Sequence, residues 1–139
     1  MIHKALSQYG ITEMQGSEMN NPEILKYFAS IGQQWVKTDE TAWCSAFMNW
    51  VAKETGHEYT KELNARSWLS VGEVIYKPQI GDVVILWRIA KSDWRGHVGL
   101  YISEDEYNIY ILGGNQGNQV CIKPYPKLRL LGYRRLKQS

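Results

Sequence analysis

The 139 residues carry a formal charge of +2, too little to argue for a nucleic-acid binder, and ordinary apolar and charged fractions that fit one domain with a buried core. No apolar run approaches the roughly 18 residues needed to cross a bilayer. Two cysteines, Cys44 and Cys121, do not make a disulfide framework, and with His3, His57 and His97 they show no zinc spacing, so no metal or cofactor is expected.

In chain order, residues 1–10 read as a short helix closed by Gly10, followed by a polar turn from Gly16 to Asn21. Asn21-Pro22-Glu23 is a helix start, with a cap, a proline at the first position and an acid in the first turn. Ile24, Leu25, Phe28 and Ile31 give that helix an apolar face, and Gly32 ends it. A second amphipathic helix opens in Thr38–Val51, where Ala42, Trp43, Ala46, Phe47, Trp50 and Val51 recur at helical spacing. Thr38, Asp39 and Thr41 are candidate caps, and Gly56 is a stop. Asn64–Leu69 suggests a third, short helix before Gly72.

Beyond residue 73 the period shortens. Strands are expected at Asp82–Arg88, His97–Ile102, Asn108–Leu112, Gln119–Lys123 and Leu130–Leu136, joined by short connections rich in Gly, Asn, Asp and Ser. Helices first and strands second predict an α+β fold, with N-terminal helices packed on an antiparallel sheet of about five to six strands in a single domain spanning 1–139.

Cys44 falls in the first turn of the second helix, where backbone N–H groups lack partners and the helix dipole favours a thiolate. The other reading is a small buried core cysteine, and the helix alone leaves both open. A nucleophile needs a base, and His97, flanked by Gly96 and Gly99 at a strand start, is the candidate. The base needs an orienter. If the strand of His97 and the next form a hairpin, Asn115 in Gly113-Gly114-Asn115-Gln116-Gly117-Asn118 returns beside the imidazole, although such a run also suits an ordinary turn. Cys121, mid-strand between Val120 and Ile122, reads as structural. Six Trp and nine Tyr against two Phe favour rings with a polar edge. Trp43 and Trp94, beside the two candidate positions, are candidate substrate-binding groove walls, core packing being the favoured reading for Trp43.

The ordered set Trp43-Cys44-Ser45-Ala46-Phe47, Gly81-Asp82-Val83-Val84, Gly96-His97-Val98-Gly99-Leu100-Tyr101 and Gly113-Gly114-Asn115-Gln116 resembles the CHAP and NlpC-type papain-like cysteine peptidase superfamily, over about residues 10–136. The resemblance implies Cys44 as nucleophile, His97 as base and Asn115 at the polar third position; the acid that CHAP members often carry two residues earlier is here Gly113. It implies a papain-like fold and cleavage of amide bonds in the peptide part of bacterial peptidoglycan through a thioester, by an amidase or endopeptidase working in chelator. The alternatives are a non-catalytic wall-binding module, or a deamidase or acyltransferase acting on protein. The N-terminus lacks a hydrophobic signal core, so synthesis in the cytoplasm is expected, with release or non-classical export to the cell wall or periplasm.

Overall fold

Asn21 caps a helix as its sequence suggests: its side-chain carbonyl accepts the Glu23 N–H at 2.9 Å, and Pro22 takes the first helical position, where a missing N–H costs nothing. In the computed structural model, which describes residues 1–13, 21–32 and 43–138, this is helix α2, Pro22–Ala29. It follows a short α1, Ile2–Leu6, and precedes α3, Cys44–Glu54. The turn expected from Gly16 lies outside the described residues, as do Thr38, Asp39 and Thr41; the cap position of α3 falls at Trp43 and not at any of these three candidates.

Helix α3 ends as the sequence suggests. Gly56 takes φ +73°, and the N–H groups of Gly56 and His57 return to the carbonyls of Lys53 and Ala52. These two bonds satisfy end-of-helix acceptors in a Schellman arrangement. Its burial goes further than a single apolar face. Every residue from Cys44 to Ala52 is buried, because α2 covers one side, the sheet another, and the loop before the 3-10 helix Ala65–Ser70 a third.

Six strands follow: β1 Glu73–Ile75, β2 Val83–Trp87, β3 Gly96–Glu104, β4 Asn108–Gly113, β5 Cys121–Pro126 and β6 Leu130–Arg135. They form one antiparallel sheet in the order β1-β6-β2-β3-β4-β5. The fold is α+β. Strand β2 is buried on both faces, so it reads as a continuous apolar run. Val83 and Ile85 pack under the helices with Phe28, Phe47 and Val51, while Val84 and Leu86 join Tyr101, Ile109 and Tyr133 on the opposite side. Each such side chain contributes about 1.5–3 kcal/mol when fully buried.

Two strands differ from expectation for local reasons. Strand β1 is a three-residue edge with no alternating signal of its own. Strand β5 begins at Cys121 and continues through Pro124 and Pro126, past the expected end at Lys123. Its place at the other edge leaves N–H groups without a ladder partner, so prolines cost little there.

Candidate active site

The first residue of α3 is Cys44 and the cap is Trp43, whose side chain makes no capping bond. The N–H groups of the first turn are therefore left without a side-chain acceptor, and those of Cys44 and Ser45 reach the sulfur. Cys44 N–H, Ser45 N–H and the Val98 N–H of β3 all favour the thiolate, and so does the positive charge of Arg88. Burial opposes them and wins, pushing the Cys44 thiol up from its ordinary range. Position at a helix start is as expected; a resting thiolate is not.

Polar groups behind the cysteine hold the helix start in place. The buried Asn49 accepts the N–H groups of Thr60 and Lys61 at 2.9 and 2.8 Å, and donates to the carbonyls of Ser45 and Glu62. Ser45 donates to the Glu62 carbonyl at 2.6 Å and accepts the Trp68 indole N–H at 2.9 Å. Helix, loop and 3-10 helix are thus tied together one residue beyond the thiol.

On β3, His97 pairs with Leu86 of β2 and is buried. Its Nε2 lies 2.9 Å from Oε1 of Gln116. The amide of Gln116 is fixed from its other end: Nε2 donates to the carbonyls of Ile111 at 2.9 Å and Cys121 at 2.7 Å. An amide nitrogen with both protons so used leaves the oxygen toward the ring, and that oxygen can only accept. The network assigns the proton to His97 Nε2 and leaves the Nδ1 lone pair free. Burial lowers the His97 pKa to about 4, against a rise from the Gln116 bond, and the charges of Arg88 and Lys123 lower it further. Tyr125 stacks on the imidazole with ring centroids 4.9 Å apart.

The imidazole partner is therefore Gln116, where the sequence expectation was Asn115. The hairpin geometry that brings the turn back to His97 is as anticipated; the side chain chosen is the next one. Asn115 takes φ +58°, as Gly117 and Asn118 also take left-handed values, so it serves the bend and lines the cleft. That preference is the signal that could have separated the two amides, because Gln has no comparable tolerance for this backbone. Gly113 fits the same arrangement, since a Cβ there would come within 2.6 Å of Gln116 Oε1. Gly114 lets the turn close on α3; a Cβ there would stand 2.6 Å from the Trp43 ring and 2.8 Å from Phe47.

The thiol and the imidazole are brought to the same strand start without being bonded to each other. The sulfur meets the backbone of Val98, the residue after His97. His97 and Asn115 line a cleft of about 500 Å³, together with Glu13, Arg88, Lys123, Tyr125 and Arg129. Cys44 is 6 % exposed and lies outside that lining. Trp43 is fully buried, stacked near Tyr27, and its indole N–H donates to Glu13 Oε1 at 2.6 Å, so it belongs to the core and not to a groove wall. Trp94 is 68 % exposed on the loop before β3, apart from the cleft lining. That loop is pinned by Arg66, which donates to the carbonyls of Ala90, Lys91 and Arg95. Cys121 is a half-buried free thiol that donates to the Gln116 carbonyl.

The family profile described as CHAP domain matches residues 36–115, from just ahead of α3 to the turn after β4. The chain belongs to the CHAP domain family. Membership points to a peptidoglycan-related hydrolase or amidase, in keeping with the papain-like superfamily. No curated protein is significantly similar to this CHAP domain. The match takes in Cys44, His97 and Asn115 and stops one residue short of Gln116. Among the described residues, no helix of this CHAP domain is long and apolar enough to cross a membrane.

Proposed function

We propose that the chain is a cysteine-dependent amidohydrolase that cleaves amide bonds in the peptide part of bacterial peptidoglycan at the cell wall. Cys44 is the nucleophile, His97 the base and acid, and Gln116 the group that orients the imidazole. The observation that carries this reading is the Gln116 amide, anchored on two carbonyls and presenting its oxygen to His97 Nε2. A histidine held in one tautomer, beside a cysteine at a helix start, is an arrangement made for proton transfer.

In the reaction the Cys44 proton passes to Nδ1 of His97 as the sulfur attacks the amide carbonyl. The oxyanion is met by N–H groups of the first turn of α3, which no side-chain cap occupies. The imidazolium then returns its proton to the leaving amine, the C–N bond breaks, and a thioester remains. Water, deprotonated by the same imidazole, attacks the thioester; acid is released and the thiol restored. Since burial favours the neutral forms of both Cys44 and His97, charge is created during the step and not stored beforehand.

Digestion of purified sacculi by wild type and by Cys44→Ala, with products read by mass spectrometry, tests the reading. Fragments released by wild type alone support it. A free lactyl carboxyl on muramic acid identifies an amidase, and a cut within the peptide an endopeptidase. Sedimentation of both proteins with sacculi without release would make the chain a wall-binding module instead.

A further inference from the structure

Three cations from separate elements converge on the cleft that holds His97: Arg88 just after β2, Lys123 on β5 and Arg129 from the 3-10 helix Lys127–Arg129. None of them is in an ion pair among the described residues, where Lys26, Arg95, Lys127 and Arg135 do find carboxylates. Two are set over aromatic faces. The Arg129 guanidinium lies 5.6 Å from the Trp87 ring centroid, and the Lys123 ammonium 5.8 Å from that of Tyr125, the ring that stacks on His97. Such contacts steer a cation without neutralising it. The acid of the lining, Glu13, already receives the Trp43 indole N–H. A chain of net charge +2 has thus gathered an excess of positive charge where the reaction must create an imidazolium. Like charge opposes that step, and a bound anion would relieve it.

We infer that the cleft is an anion subsite, in which Arg88, Lys123 and Arg129 hold a free carboxylate of the substrate peptide close to the amide that is cut. The inference rests on the amidohydrolase reading and names its substrate class: stem peptides carrying an unamidated carboxylate near the scissile bond. Guanidinium groups bind a carboxylate through paired N–H donors, and the walls of Trp87 and Tyr125 limit water around it. A carboxamide of the same shape would keep the size and lose the charge.

The test compares two synthetic N-acetylmuramoyl peptides, identical except that one stem carboxylate is a carboxamide in the second. Wild type is expected to favour the carboxylate form about tenfold or more in kcat/KM, chiefly through KM, as charge-assisted hydrogen bonds are lost in the other. The preference should shrink with added salt. In Arg88→Gln, Lys123→Gln and Arg129→Gln the ratio of the two rates should fall toward one, a quantity insensitive to any general loss of activity. Equal rates in wild type, or a preference that survives in the triple variant, would overturn the inference. If wild type cuts neither peptide, calorimetric binding to Cys44→Ala decides. Tighter binding of the carboxylate form, abolished by the three substitutions, upholds the subsite and removes the hydrolase reading. Equal binding, or none, removes the subsite.

Discussion

His97 in this geometry is a base with its proton parked on Nε2 and its lone pair held on Nδ1, and one side chain is responsible. Removing that side chain should be costly to turnover: Gln116→Ala is expected to lower kcat by about a hundredfold or more, as misoriented tautomers do in related triads. Asn115→Ala, which alters a cleft-lining turn residue, should cost far less. Steady-state kinetics on both variants, with melting curves to confirm folding, distinguish the two amides. The burial of His97 also fixes a pH signature. Its pKa is lowered from 6.5 to about 4, so the neutral, basic form persists in acid and kcat/KM should fall only near pH 4. For stability the sign is that of a depressed group. The unfolded chain takes up the proton first, so the contribution is full above pH 6.5 and is lost as pH falls toward 4. The loss amounts to roughly 3 kcal/mol, the free energy of a shift of this size. Urea unfolding of wild type and His97→Asn at pH 7 and pH 4 measures it; an equal drop in both proteins would contradict the assignment.

At the scale of elements, α3 does two things at once. Its apolar side chains make it the centre of the core, and its uncapped start presents N–H groups to Cys44. Asn49 reconciles these roles, since it replaces water for two loop N–H groups and so fixes the loop that packs against Ser45. Asn49→Ala should destabilise by about 2–4 kcal/mol, because the Thr60 and Lys61 N–H groups lose their acceptor and two carbonyls lose a donor. Equilibrium urea denaturation gives the number, and a change under about 0.5 kcal/mol, the range of ordinary surface substitutions, would show that the network is not structural. The expectation of helices before strands was legible because each period was clear. Tyr27, buried between α2 and α3, was not, since a tyrosine at that spacing suits surface or core alike.

Across the whole molecule, the order β1-β6-β2 puts the last strand between two earlier ones. Strand β6 bonds on both edges, and Arg135 at its end forms a two-pronged pair with the Asp82 carboxylate at 2.9 and 2.8 Å. The C-terminal segment is therefore a structural member and not a tail. Truncation after Arg129 should abolish cooperative unfolding, read by circular dichroism on heating, whereas a tail would leave the transition in place. The sheet also brings Arg88 to the cleft of Lys123 and Arg129, although it lies far from both in sequence.

What the sequence determined by itself was whatever local chemistry dictates: the Asn21 cap, the Gly56 stop, the placing of Cys44 in the first turn of a helix, the hairpin that returns toward His97, and the α+β order. These follow from backbone preferences and the periods 3.6 and 2, which need no knowledge of distant residues. Only the tertiary structure decided that Gln116 and not Asn115 meets the imidazole, that Tyr27 is core, and that the thiol and imidazole rest neutral. The physical reason is the same in each case. Hydrogen-bond choice between adjacent amides, the burial of a ring and the desolvation of a charge depend on what the fold packs around a residue, and no window of the sequence contains those neighbours.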